Sequence, residues 1–183
     1  IMSKAIGMIE FKTVSAGITA ADTMVKTAQV ELLEAQTVCP GKYIALIGGA
    51  LSAVQAAVEA AKQVRGEELI GSFVLGNPHE SIFPAIYGST HIEKVNAFGI
   101  LETYDAASII VAADVAAKTA IVDLIELRIA KGMCGKSYLI LTGEVAAVEA
   151  AIGKAKQAAA KDGMYLDSSV IAHPDEQICR SIL

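Results

Sequence analysis

The chain has 183 residues with 20 acidic and 15 basic side chains, and a net charge of −5 leaves no clustered Lys and Arg for gripping nucleic acid. Hydrophobic residues make up 54% of it at a mean hydropathy of +0.50, yet 32 residues are Ala and only nine are aromatic, so the apolar excess lies in small side chains. The most apolar stretch, Ala106 to Ala117, is broken by Asp114 and falls short of the roughly 18 consecutive apolar residues that a membrane span needs. Three Cys, at 39, 134 and 179, include no Cys-x-x-Cys pair, which argues against a disulfide framework and against a zinc site built within one chain. The start, Ile1 to Glu10, has no basic segment leading into a long uncharged run, so no secretory signal is expected and a cytosolic setting is.

Along the chain, Ala5 to Phe11 is a short apolar run ending near an acid, as a buried strand reads. Ala20, Met24 and Ala28, with Ala21 and Val25, then recur at helical spacing, with side chains small enough for the helix to lie close to a sheet. Val30 to Val38 reads as a strand, a glycine-bearing loop follows at 39–42, and Tyr43 to Ile47 returns as the next strand before Gly48 and Gly49. Ala53, Val54, Ala57, Val58 and Ala61 mark a second amphipathic helix, Ser72 to Leu75 a last strand, and a short helical segment follows around Phe83.

The same series then begins again. Residues 5–37 laid on 97–129 give 13 identities in 33 positions, among them Gly7/Gly99, Glu10/Glu102, Asp22/Asp114 and Lys26/Lys118. After a short insertion, residues 53–63 match 147–157 at seven of eleven positions, and Asn77-Pro78 lies over His173-Pro174. Alanine bias does not explain the shared Gly, Asp, Lys, Glu and Pro, so the chain is two tandem copies of one α/β domain, at 2–88 and 92–183, joined near Tyr87 to Thr90. Each copy reads strand, helix, strand, strand, helix, strand, which predicts a ferredoxin-like domain with a mixed or antiparallel four-stranded sheet flanked by helices. Low charge and many small apolar residues leave more apolar surface than one copy hides, which points to self-assembly.

The segments Ala5-Ile6-Gly7-Met8-Ile9-Glu10 and Ala20 to Ala28, the glycine loop, Gly48-Gly49 and the Ala-Val-x-Ala-Ala helix resemble a bacterial microcompartment shell domain, and the match recurs in the second half. Two fused copies resemble the tandem-domain shell class, in its unpermuted branch. The resemblance implies a homotrimer that imitates a hexamer, tiles with other shell proteins and encloses a metabolic organelle in the cytoplasm; it implies no enzyme and neither nucleic-acid nor membrane partners. Thr37-Val38-Cys39-Pro40-Gly41-Lys42 resembles the pore loop of propanediol-utilisation members of the class. That implies one [4Fe-4S] cluster per trimer on the threefold axis, with Cys39 from each chain as cofactor and metal ligand, electron transfer across the shell, and a lumenal or cytosolic redox enzyme as a further partner. Pro40 is expected to hold Cys39 extended and Gly41 to allow close approach at the axis.

On residue pattern alone Cys39 also fits a free thiol in a loop. Met133, Cys134 and Gly135 occupy the equivalent loop of copy two and join Val38, Cys39, Pro40 and Gly41 as expected pore lining. Cys134 is left open as a thiol beside the cluster, a competing ligand or an inert side chain, and Cys179 is expected to be a small core residue. By position in the family, Lys26 and Lys118, with Asn77 and His173, correspond to edge residues that contact neighbouring tiles; solvated surface is the alternative. Phosphate-binding glycine loops and a Ser-His-Asp set are absent from the sequence. A shell pore that passes small metabolites without a cluster, a soluble iron-sulfur carrier and a soluble ligand-sensing trimer stand as the competing functions.

Overall fold

The computed structural model describes residues 5–183; the expected domain start at residue 2, and the part of the signal reading that concerns Ile1 to Lys4, lie outside the described residues. The chain forms two compact units, one running to Pro78 and the other His79–Leu183. The first holds β1 (Ala5–Phe11), α1 (Val14–Thr27), β2 (Val30–Val38), β3 (Lys42–Gly49), α2 (Leu51–Lys62), a 3-10 turn at Gly66–Glu68 and β4 (Leu69–Gly76). The second opens with α3 (Ile82–Tyr87) and repeats the series as β5 (Ala97–Thr103), α4 (Ala106–Thr119), β6 (Asp123–Arg128), β7 (Ser137–Gly143), α5 (Val145–Lys161) and β8 (Tyr165–Ala172), closing on α6 (Glu176–Ile182).

Each unit has one four-stranded sheet, in the orders β2-β3-β1-β4 and β6-β7-β5-β8. Every pairing is antiparallel, which narrows the mixed-or-antiparallel expectation. The central strand β1 is buried at all seven positions, with Glu10 as its one charged side chain, so both of its faces are covered. Both copies carry a register shift at the same place in the edge strand, between Leu32 and Glu34 and between Leu124 and Glu126. A feature repeated at equivalent positions is built into the domain.

Helices sit close to the sheets because the residues between them are small. A Cβ at Gly7 would lie 2.7 Å from Val54 Cγ1, and one at Gly17 only 2.4 Å from Tyr43 Cβ. Gly99 repeats the first contact against Ile152, Leu141 and Val148. Ala16, Ala20 and Met24 of α1 and Ala57 and Ala61 of α2 complete the first core. Helix starts are capped as the sequence allows: the Thr13 side chain accepts from Ala16 N, and the Asp105 carboxylate from Ser108 N. The last strand of each copy runs longer than its apolar run suggests. Tyr165 to Ser169 is largely polar, and β5 recruits it as an edge partner through register pairs such as Leu101 with Ser168.

Candidate functional site

The turn between β2 and β3 is built by four residues. Val38 is buried at the strand end, Gly41 N donates to Val38 O at 2.9 Å, and the Cys39–Pro40 peptide is cis, which makes this a type VI turn. Cys39 is half-buried, while Pro40 and Gly41 are exposed. Gly41 has a φ of +95° with nothing near a would-be Cβ, so backbone conformation rather than space calls for glycine there. The first residue of β3, Lys42, anchors the turn: its Nζ donates to Glu10 Oε1 at 2.6 Å, and Glu10 is buried on β1. Glu10 is therefore a structural acid that ties the turn to the centre of the sheet.

The second copy builds the equivalent loop differently. Ile129 and Ala130 are buried, and Ala130 N donates to Ser137 Oγ at 3.0 Å across the loop base. Lys136 N donates to Met133 O at 3.1 Å, closing a turn whose central residues, Cys134 and Gly135, both have positive φ, +53° and +88°. Cys134 is exposed, Met133 half-buried and Gly135 buried. Among the described residues no group of three or more His, Cys, Asp or Glu side chains is placed to hold a metal ion, so neither loop forms a metal site within its own unit.

At the base of the second loop lies a cluster that the sequence reading did not pick out. Tyr138 O–H donates to Glu126 Oε2 at 2.7 Å, Arg128 Nη2 donates to Glu126 Oε1 at 2.6 Å, and the guanidinium lies 5.4 Å from the Tyr138 ring centre. Burial, then the hydrogen bond to Glu126, pushes the Tyr138 phenol up to about 12. The hydrogen bond to Glu126 raises Arg128 further above its ordinary value. Two charges spaced by two on a strand put both on one face, and that period was the available signal; that Tyr138 stands opposite Arg128 is visible only in the register.

The other expected site residues fall on surfaces. Lys26 pairs with Asp22 at 2.6 Å with both side chains exposed, whereas Lys118 pairs at 2.6 Å with Asp114, which is buried. Asn77 and His173 are exposed and share a left-handed backbone, each with a φ of +51°. Cys179 departs from its expectation as a core residue: it is half-buried on α6, a helix with no buried residue. No helix among the described residues is long and apolar enough to cross a membrane.

Comparison with known proteins accounts for both halves. The BMC domain family matches residues 5–78 and again 97–174. The bacterial microcompartment shell protein PduT of Citrobacter freundii is 39% identical over 182 residues, covering 100% of this chain and 99% of that one. The carboxysome shell protein CcmK2 of Synechocystis sp. is 39% identical over 85 residues, 44% of this chain and 82% of its own. Among solved structures, a microcompartments protein from Desulfitobacterium hafniense DCB superposes with a TM-score of 0.91 at 46% identity, covering 96% of this chain and 98% of that one. The fused permuted hexameric shell protein MSM0275 shares the fold at a TM-score of 0.60 and 20% identity, over 85% and 81% of the two chains.

Proposed function

Because the chain belongs to the BMC-domain family and is a structural shell protein of a bacterial microcompartment, we propose that it forms a homotrimeric tile whose β2–β3 turns meet at a central pore and hold an iron-sulfur cluster there. The observation that carries the reading is the placing of half-buried Cys39 at a turn apex, where among the described residues no group of three or more His, Cys, Asp or Glu side chains forms a metal site within the chain. A cluster normally takes four thiolates. A threefold axis supplies three from Cys39 and leaves one position for a non-protein ligand or a partner's side chain. When bound, such a cluster passes single electrons, which suits a pore between a lumenal and a cytosolic redox partner.

The chain's own residues do the positioning. Gly41 lets the backbone turn beside the thiol without a side chain in the way, and the Lys42–Glu10 pair fixes the following strand. Cys134, exposed on its own turn, is a neighbouring thiol in the same pore and not a ligand in this reading. Lys26 and Asn77, with Lys118 and His173, stand on the outer edge for contacts with other shell proteins.

Anaerobic purification with iron and sulfide analysis tests this. The expected iron content approaches about four per three chains; Cys39→Ser loses it and keeps the trimer, while Cys134→Ser retains it. Loss of iron with Cys134→Ser alone moves the site to the other loop. An iron-free parent under reconstitution makes the pore a channel for small metabolites and removes the redox role.

A further inference from the structure

Glu126 and Arg128 also line a cavity in the second unit. Helix α3 packs against β6 and α4, over the fully buried Ile110 and Leu124. Its C-terminal end and the end of β6 enclose a volume of about 330 Å³, at the small end of the range that ligand sites occupy. Ile86, Leu127 and Ile129 give the wall an apolar part, and Glu126, Arg128 and Lys131 a charged part. One carboxylate against two cations leaves the wall net positive.

The repeat shows that the domain folds without this charged cluster. Glu34 of β2 is the counterpart of Glu126, but Gln36 stands in for Arg128, and Ile44, opposite Glu10 as Tyr138 is opposite Glu102, stands in for Tyr138. Gln36 Nε2 donates to Glu34 Oε2, so the same two strand positions are paired in both copies. What the second copy adds is a fixed positive charge that its neighbours do not exhaust. Arg128 Nε and Nη2 donate to Glu126 Oε1 at 2.9 and 2.6 Å, which among the described residues engages two of the five guanidinium N–H donors. Tyr138 O–H takes the other carboxylate oxygen at 2.7 Å, so Glu126 is held at both oxygens and fixes the guanidinium at the wall. The Arg128 side chain is 46% exposed and within reach of a molecule entering from solvent. Lys131 is carried to the same wall by Ala130, whose N–H donates to Ser137 Oγ and whose φ of +52° is one that residues with a side chain rarely adopt.

From the cavity and the difference between copies together, we propose that the second unit binds a short aliphatic carboxylate here. The carboxylate takes the remaining N–H donors of Arg128 and the ammonium of Lys131, and its carbon chain lies against Ile86, Leu127 and Ile129. Glu126 repels a second negative charge, so monoanions are favoured over dianions. The first unit, with Gln36 and Ile44 at these positions, offers no such site. The inference goes beyond the iron-sulfur reading and is independent of it, since every residue it uses lies in the second unit.

Methyl-resolved NMR of the assembled protein, titrated with sodium butyrate at constant ionic strength, reads the site directly. Saturable shifts are expected at the Ile86, Leu127 and Ile129 methyls, with half-saturation on the order of 1–10 mM for so small a ligand. Butyramide, of the same size without the charge, and inorganic phosphate, without the chain, are each expected to bind at least about tenfold more weakly. Arg128→Gln installs the Glu–Gln pair that the first copy already carries; it should keep the circular dichroism spectrum and lose about tenfold or more in butyrate affinity. Lys131→Gln, at an exposed position, should lose about threefold, and decides alone if Arg128→Gln unfolds. No saturable shift in the parent overturns the site. So does butyramide binding as tightly as butyrate, or butyrate affinity unchanged in the folded variants. Phosphate bound as tightly as butyrate overturns the assignment to a carboxylate with a chain. Iron content is expected to be the same in parent and variants, so failure here leaves the cluster reading standing.

Discussion

Replacing Asp114 by Ala, and separately its repeat twin Asp22 by Ala, removes the same side chain from two different environments. Asp114 is buried and accepts from His79 N at 2.7 Å and from Lys118 Nζ at 2.6 Å. A hydrogen bond to a charged acceptor contributes about 1.5–3 kcal/mol. Loss of the ion pair with Lys118, whose side chain is 40% exposed, adds no more than about 1 kcal/mol. Asp114→Ala is therefore expected to cost about 2–4 kcal/mol, and at about 2–4 °C per kcal/mol for a chain of this length the melting temperature falls by roughly 4–16 °C. Asp22 makes an exposed pair with Lys26, so Asp22→Ala in the separated chain changes stability by about 0.5 kcal/mol or less. Asp114→Asn keeps an acceptor for His79 N and falls between. Calorimetry across a dilution series separates these effects from the mass-action contribution of assembly. Hydrogen exchange at the Ile82 and Ala85 amides localises the loss to α3. Equal melting shifts for Asp114→Ala and Asp22→Ala in the dilute limit would refute the claim that the two copies differ at this surface.

Three further outcomes follow from the geometry. Tyr138 has its phenol raised from the ordinary 10 to about 12, so the neutral form is favoured in the folded state; its contribution to stability is complete below pH 10 and is lost as pH climbs from about 10 to about 12. Absorbance titration near 295 nm should show a tyrosine ionising that late, and Glu126→Ala should reverse only part of the shift because burial is its largest cause; no late step would contradict the cluster. Gly99→Ala puts a methyl 2.7 Å from Ile152 Cγ1 and 2.8 Å from Val148 Cγ1, both on stiff branched side chains, and should cost about 1–3 kcal/mol in urea unfolding, with Val148→Ala in the same chain recovering part. Lys26→Ala and Lys118→Ala should each weaken sheets seen by electron microscopy if both stand at tile edges, but only Lys118→Ala should also destabilise the chain, by about 1 kcal/mol, because it leaves buried Asp114 without its cation.

The architecture was legible where it is local. Gly7 and Gly99, the alanine spacing of α1 and α4, and the offset between copies define the strands and helices that the structure shows. Long-range pairing was not. Asp114 reads in sequence only as an interruption of an apolar run, because its partner His79 lies 35 positions away in a segment that looks like the tail of the other copy. The polar start of β8 reads as a loop until β5 is placed beside it. The two loops were recognised as equivalent, but their different turns depend on backbone angles, positive at both Cys134 and Gly135 in one and only at Gly41 in the other, which residue type narrows without deciding. Cys179 and its repeat twin Phe83 are both half-buried, so an apolar residue type at a repeated position does not by itself place that position in a core.

The mismatch between where the repeat ends and where packing ends bears on how such a chain is cut. A fragment made by dividing the sequence at Tyr87 to Thr90 would carry α3 away from β6 and strip the cover from Ile110 and Leu124, leaving two pieces with raw apolar edges. A fragment beginning at His79 keeps the second unit whole, with the first ending at Pro78. The sequence repeat and the packing unit are therefore out of step: the first copy ends in a helix, α3, that serves as a clasp on the domain after it.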